Sequence, residues 1–307
     1  MHLRFALTAV ILFSAPACDL GRVTVDTTAK VLVRAQPALN QESDYQLAHD
    51  ALPATLKTIE GFWVVDPDNA DLLGLLTEGY CQYGTAFIED DWEIAKFAKK
   101  LDEVEYNNAR ATNIFTRCLN YALRQLGERW QTELFGAPDV AAKLAQDTPS
   151  DRRDQLMWAA LALGSIINHN LSRVELLAYQ PTVKAMLDRV LALDTDHHPS
   201  RPEYAALPHI ALAMLFSATG AQTGGKPAEA RHHFDEALRI TGGRLLIART
   251  LMGYRLGLVN NDQKFFHDQL KQVLEAQPDL WPEQRLANEV ARRRARRYLS
   301  HEKELFQ

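Results

Sequence analysis

From about Asp44 to the C-terminus the apolar residues recur at helical spacing, and four segments carry one shared pattern. Ala111, Phe115, Cys118 and Leu119 form the first, and Val183, Leu187, Val190 and Leu191 the second. Ala230, Phe234, Ala237 and Leu238 form the third, and Phe266, Leu270, Val273 and Leu274 the fourth. Positions i, i+4, i+7 and i+8 share one face of a helix, so each segment predicts a core stripe. The breaks carry turn and cap chemistry: Asp66-Pro67-Asp68-Asn69, Pro199 to Pro202, Gly242-Gly243 and Pro278 to Pro282. Gly225 stands ahead of Ala230 as in the turn and second helix of a tetratricopeptide unit. The spacing from Phe234 to Leu270 is close to the roughly 34-residue length of such a unit, while the earlier spacings are longer and need insertions. The expected fold is all-α: a tetratricopeptide-like helical-hairpin solenoid with about four degenerate repeats over residues 44–307, each leaving an apolar face that its neighbour covers.

The first residues follow a different grammar. Met1 to Arg4 holds a positive charge, Phe5 to Phe13 is nearly unbroken apolar sequence, and Ser14-Ala15-Pro16-Ala17-Cys18 ends it with small residues. This predicts a signal peptide over residues 1–17, its apolar run being too short to span a bilayer. Cys18 after Ala17 resembles the lipobox of bacterial lipoproteins, in which the thiol is acylated; plain secretion is the other reading. Asp19 resembles an inner-membrane retention signal. Gly21 to about Asn40 has scattered Val and Thr without a helical period, which predicts a tether over residues 18–43, with a short strand around Val31 to Val33.

Composition narrows the function classes. With 47% hydrophobic residues there is ample material for a core, and a formal charge of -5 gives no footprint for nucleic acid. Cys18, Cys81 and Cys118 are too few and scattered for a disulfide framework or a zinc site, and Cys81 and Cys118 read as small buried side chains.

The sequence has no nucleophile elbow and no phosphate loop. Gly224-Gly225-Lys226 runs into Pro227, which denies a backbone donor and reads as a turn opening a helix. His197-His198 and His232-His233 are adjacent pairs, whereas helical metal ligands recur three or four residues apart, so no metal or cofactor is expected. Arg292, Arg293, Arg296 and Arg297 are assigned to one helix face opposite Ala287, Ala291, Ala295 and Leu299. That face is either solvated or docks an acidic patch on a partner, since Arg pairs bidentately with carboxylates.

Several runs together resemble the T-components of tripartite ATP-independent periplasmic (TRAP) transporters, the TatT lipoproteins. They are Ala51-Leu52-Pro53 with Leu56-Lys57, the helix of Tyr80, Tyr83 and Phe87, and Val190 to Asp194. Further on come Gly224 to Ala230 leading into Phe234 to Leu238, Leu286 to Ala291, Arg293 to Leu299, and Glu304-Leu305-Phe306. Leu207-Pro208-His209 departs from the Gly-Ala-X-His run of the family. The resemblance implies a periplasmic, membrane-anchored lipoprotein, a homotrimer that binds the substrate-binding P-component, assists uptake of a small apolar ligand and is no enzyme. It makes Tyr80, Tyr83, Phe87, Trp158 and His209 candidates for lining an apolar groove; the alternative for the aromatics is core, and for His209 a half-buried hydrogen-bonded position. A general cell-envelope scaffold with the same fold is the alternative function.

Overall fold

The computed structural model describes residues 20–196 and 199–307, and among them there is helix and no strand. The signal segment, Cys18, Asp19 and the pair His197-His198 lie outside the described residues. The first helix, α1 (Leu20–Asn40), corrects the expected tether and strand. Val25 and Ala29, one turn apart, are buried, and the hydroxyls of Thr24, Thr27 and Thr28 bond the carbonyls four residues back. Threonine side chains satisfied in this way do not compete with the helix ladder.

Asp44 caps α2 (Tyr45–Val65), its carboxylate accepting the Gln46 and Leu47 amides, and Asn69 caps α3 (Ala70–Tyr83) by accepting the Leu72 amide at 3.1 Å. α3 runs through a π-turn, Gly84–Ile88, into α4 (Glu89–Phe97). A Cβ on Gly84 would stand 2.7 Å from the Phe115 ring, so glycine here lets the next long helix approach. That helix, α5 (Leu101–Leu126), ends at Gly127 in a left-handed conformation. α6 (Glu128–Glu133) and α7 (Pro138–Asp147) lead to α8 (Arg153–Asn168), which is buried on nearly all sides. α9 (Val174–Leu177) and α10 (Gln180–Asp196) follow.

The C-terminal part is built of pairs. α11 (Pro202–Phe216) packs on α12 (Pro227–Ile240), opened by Gly224 at φ 90° and by Pro227 in its first turn, as the sequence predicts. α13 (Leu246–Val259) packs on α14 (Gln263–Glu275); α15 (Arg285–Ser300) and α16 (Glu302–Leu305) close the chain. The four predicted stripes fall on α5, α10, α12 and α14. Their first three positions are buried in every case, and the terminal Leu is at least partly covered. Most packing joins helices near one another in sequence, as a stack of hairpins requires. α15 departs from that order, because it also packs against α1 and α2.

Cys81 on α3 and Cys118 on α5 form a disulfide with Cα atoms 5.4 Å apart, which corrects their reading as free buried thiols. Both positions lie in the core, as their sequence context predicts, and both sulfurs face the Trp158 carbonyl.

Candidate functional site

The densest polar chemistry lies where α4 meets α15, and it begins with the π-turn. A wider turn leaves carbonyls outside the α-helical ladder. The Thr85 carbonyl accepts the Arg294 guanidinium at 2.6 Å, and the Ala86 carbonyl faces the Tyr45 hydroxyl at 3.4 Å. The acidic turn that follows presents Glu89, Asp90 and Glu93 to α15. Arg294 reaches Glu89 at 3.2 Å; Arg297 reaches Asp90 at 2.7 Å and also bonds Glu93; Arg293 reaches Asp90 at 2.5 Å. Tyr45 and Tyr298 donate to Asp90 and Glu93 at 3.0 and 2.6 Å. His169, whose side chain is wholly enclosed, stands 3.5 Å from Glu89 and bonds Asn108 at 2.8 Å.

Asp90 is 0% exposed, a position where an unpaired carboxylate would be neutral. Burial pushes its pKa up, and the guanidiniums of Arg297, Arg293 and Arg294 outweigh that and hold it below the ordinary range. Glu89 follows the same balance: burial raises it, while His169 and Arg294 pull it below its usual value. Arg294 is raised, because neighbouring Glu93, Tyr298, Glu89 and Asp90 overcome its desolvation. Glu89 and Asp90 are thus held as ions by the arginines, and with Glu93 they make the cluster a clasp between helices.

The four arginines assigned to one face are divided by the fold. Arg292 is buried, bonded to Glu289 and to the Gln277 carbonyl; Arg293 and Arg297 belong to the clasp; of the four, only Arg296 is exposed without a bond to the body. Arg294, which sequence reasoning passed over, holds the centre. The acidic run Glu89 to Glu93 was the available signal, since a carboxylate cluster in a mostly apolar region calls for cations.

The aromatic candidates are brought together inside the protein. Tyr80, Tyr83 and Phe87 are all buried. Tyr80 stacks on Tyr121 at 6.0 Å, and Tyr121 donates to the nearly buried Glu60, which Arg117 also reaches. Phe87 lies 5.1 Å from Tyr45, whose ring carries the Arg293 guanidinium at 4.5 Å, so the stripe and the arginines are neighbours. Trp158 is buried with its ring edge on Tyr204.

His209 stands apart on α11, half-buried, with its Nδ1 3.0 Å from that of His233 on α12. Burial and the neighbouring imidazole push its pKa down to about 4, and His233 is also lowered by burial, so the pair is neutral near pH 7. No group of three or more His, Cys, Asp or Glu suited to a metal occurs among the described residues.

A polar cleft of about 270 Å³ opens where α8 and α11 begin, lined in part by Asp151, Asp154, Gln155, Arg201 and Tyr204. Arg153 at its base grips Asp194 with two 2.7 Å bonds and also reaches the Tyr204 carbonyl. The Asp at the end of the Val190 to Asp194 run therefore ties α10 to α8 and α11.

Such a fold and site define an all-helical protein, closed by a buried ionic clasp and stapled by one disulfide. The chain belongs to the TRAP transporter T-component family, whose model matches residues 41–306. No curated protein matches it.

Proposed function

We propose that this protein is an accessory lipoprotein of a TRAP-type solute transporter. In this reading it is exported, is anchored through acylated Cys18, and binds the substrate-binding P-component as a homotrimer. It assists uptake of a small apolar ligand by holding partner or ligand near the membrane, making and breaking no bond. The match to the T-component family over residues 41–306 carries the reading. The Cys81–Cys118 disulfide supports export, since structural disulfides persist in oxidising compartments. Among the described residues no helix is long and apolar enough to cross a membrane, which is consistent with attachment by a lipid.

The test is capture from detergent-solubilised membranes with the full-length protein as bait. Recovery of a TRAP P-component, absent when the bait is replaced by an unrelated lipoprotein, is the expected result; capture of envelope-assembly proteins with no P-component would overturn it. Sedimentation at micromolar concentration checks the trimer. Arg296, the exposed arginine of the C-terminal run that has no bond to the body, is the first of that run to test for a partner contact, and Arg296→Glu is expected to weaken capture.

A further inference from the structure

The segment expected to be a tether is a helix packed on the body, and its outer face is apolar. Val25 and Ala29 face inward, and Gln36 bonds Glu78 on α3. Helical periodicity puts Leu20, Val23, Thr27 and Val31 on the opposite side, where Leu20, Val23 and Val31 are 77%, 54% and 59% exposed. Val23, Thr24, Thr27, Thr28 and Val31 line a shallow groove there. The threonine hydroxyls on this side already donate to backbone carbonyls, so none leaves a donor unmet against an apolar surface. Lys30, ion-paired with Asp26 at 2.7 Å, borders the stripe, and exposed Arg34 ends it one turn beyond Val31.

We propose that the outer face of α1 lies against the lipid surface, so that the protein is held flat on its membrane. This rests on acylation of Cys18. Only Asp19 separates Leu20 from Cys18, a reach of roughly 7 Å over two Cα–Cα steps, which brings the start of the stripe to the bilayer surface whenever the thiol carries lipid. From Leu20 to Val31 the stripe extends for roughly 17 Å of helix. An apolar face flanked by cations suits the boundary between anionic headgroups and acyl chains, and a lipid chain with a second, weaker contact gives firmer anchoring than the chain alone. The position of the body, and of any partner site on it, is then set by α1.

The experiment uses the full mature chain in vesicles of phosphatidylethanolamine and phosphatidylglycerol. Mass spectrometry of the N-terminal peptide first establishes the acyl mass on Cys18. Single labelled variants Val23→Cys, Val31→Cys and, as a control at the exposed start of α9, Val174→Cys are then read by fluorescence quenching from a spin-labelled lipid. Quenching several-fold stronger at 23 and 31 than at 174 is expected. It is also expected to persist when a flexible Gly-Ser segment is inserted between Asp19 and Leu20, and to fall when Leu20→Asp is added to that insertion. Equal quenching at the three positions in acylated protein overturns the inference and leaves the reading of Cys18 standing, whereas absence of the acyl mass overturns both. Quenching lost on insertion alone also overturns it. So does self-association of Cys18→Ser protein that Val23→Asp with Val31→Asp abolishes, since the stripe would then belong to a second copy.

Discussion

The α13–α14 hairpin and the α4–α15 junction solve the same problem, the joining of two helices, with opposite materials. In the hairpin the backbones are drawn close at glycines: a Cβ on Gly257 would stand 2.6 Å from that of Phe266, and one on Gly253 2.7 Å from that of Gln269. The close contact is carbon against carbon and local in sequence, with Arg249 bonding Gln269 and Gln272 at its edge. At the junction, charges are buried and the partners lie more than 200 residues apart. Close packing makes the first pair sensitive to added volume, and desolvated charge makes the second sensitive to the loss of a partner.

The largest effect is expected at the junction. Arg294→Ala leaves Glu89 and part of Glu93 buried without their cation, and should cost about 3–5 kcal/mol of stability in denaturant titration. Exposed Arg296→Ala should stay within about 0.5 kcal/mol; equal losses would remove the distinction between clasp and surface. Next comes the disulfide that joins α3, which carries the π-turn, to α5. Replacing both Cys81 and Cys118 by Ala should cost about 2–4 kcal/mol, with amide exchange rising more around α4 than in the α13–α14 hairpin. Gly257→Ala should cost about 1–2 kcal/mol in thermal unfolding, overpacking against Phe266 exceeding the gain in helix propensity.

The effect confined to the narrowest conditions is on pH dependence, and it separates the α11–α12 pair from the junction. His209 has a folded pKa of about 4 against 6.5 for the free group, so the unfolded chain binds more protons between those values. Stability should therefore fall as pH drops from about 6.5 to about 4, a limb that His209→Gln flattens. Glu89 and Asp90 are lowered, so their contribution is present above the ordinary carboxylate range and is lost only as pH falls through their depressed values. A single acid limb, unchanged by His209→Gln, would contradict the assignment.

The same contrast explains what the sequence allowed. Ala230, Phe234 and Ala237, or Phe266, Leu270 and Val273, declare a helix and its buried face because one stripe meets one neighbour. α1 hid its helix because Val25 and Ala29 face the body while Leu20, Val23 and Val31 face outward, so apolar residues on both sides blur the period. The clasp was hidden for another reason: Arg293, Arg294 and Arg297 look like a solvated face until the fold brings Glu89 to Glu93 against them, and no local spacing encodes that meeting. Cys81 and Cys118 were legible as core positions, but which buried cysteines meet depends on how α3 crosses α5.

One feature of the clasp bears on how the molecule comes apart. Stacked-hairpin proteins commonly fray from their tips, because a terminal unit touches one neighbour only. Here the last long helix is bonded back to the first third of the chain, so detaching it strips counterions from three acidic groups at once. The C-terminal end should therefore resist peeling as strongly as the middle does, and the whole should melt in one cooperative step.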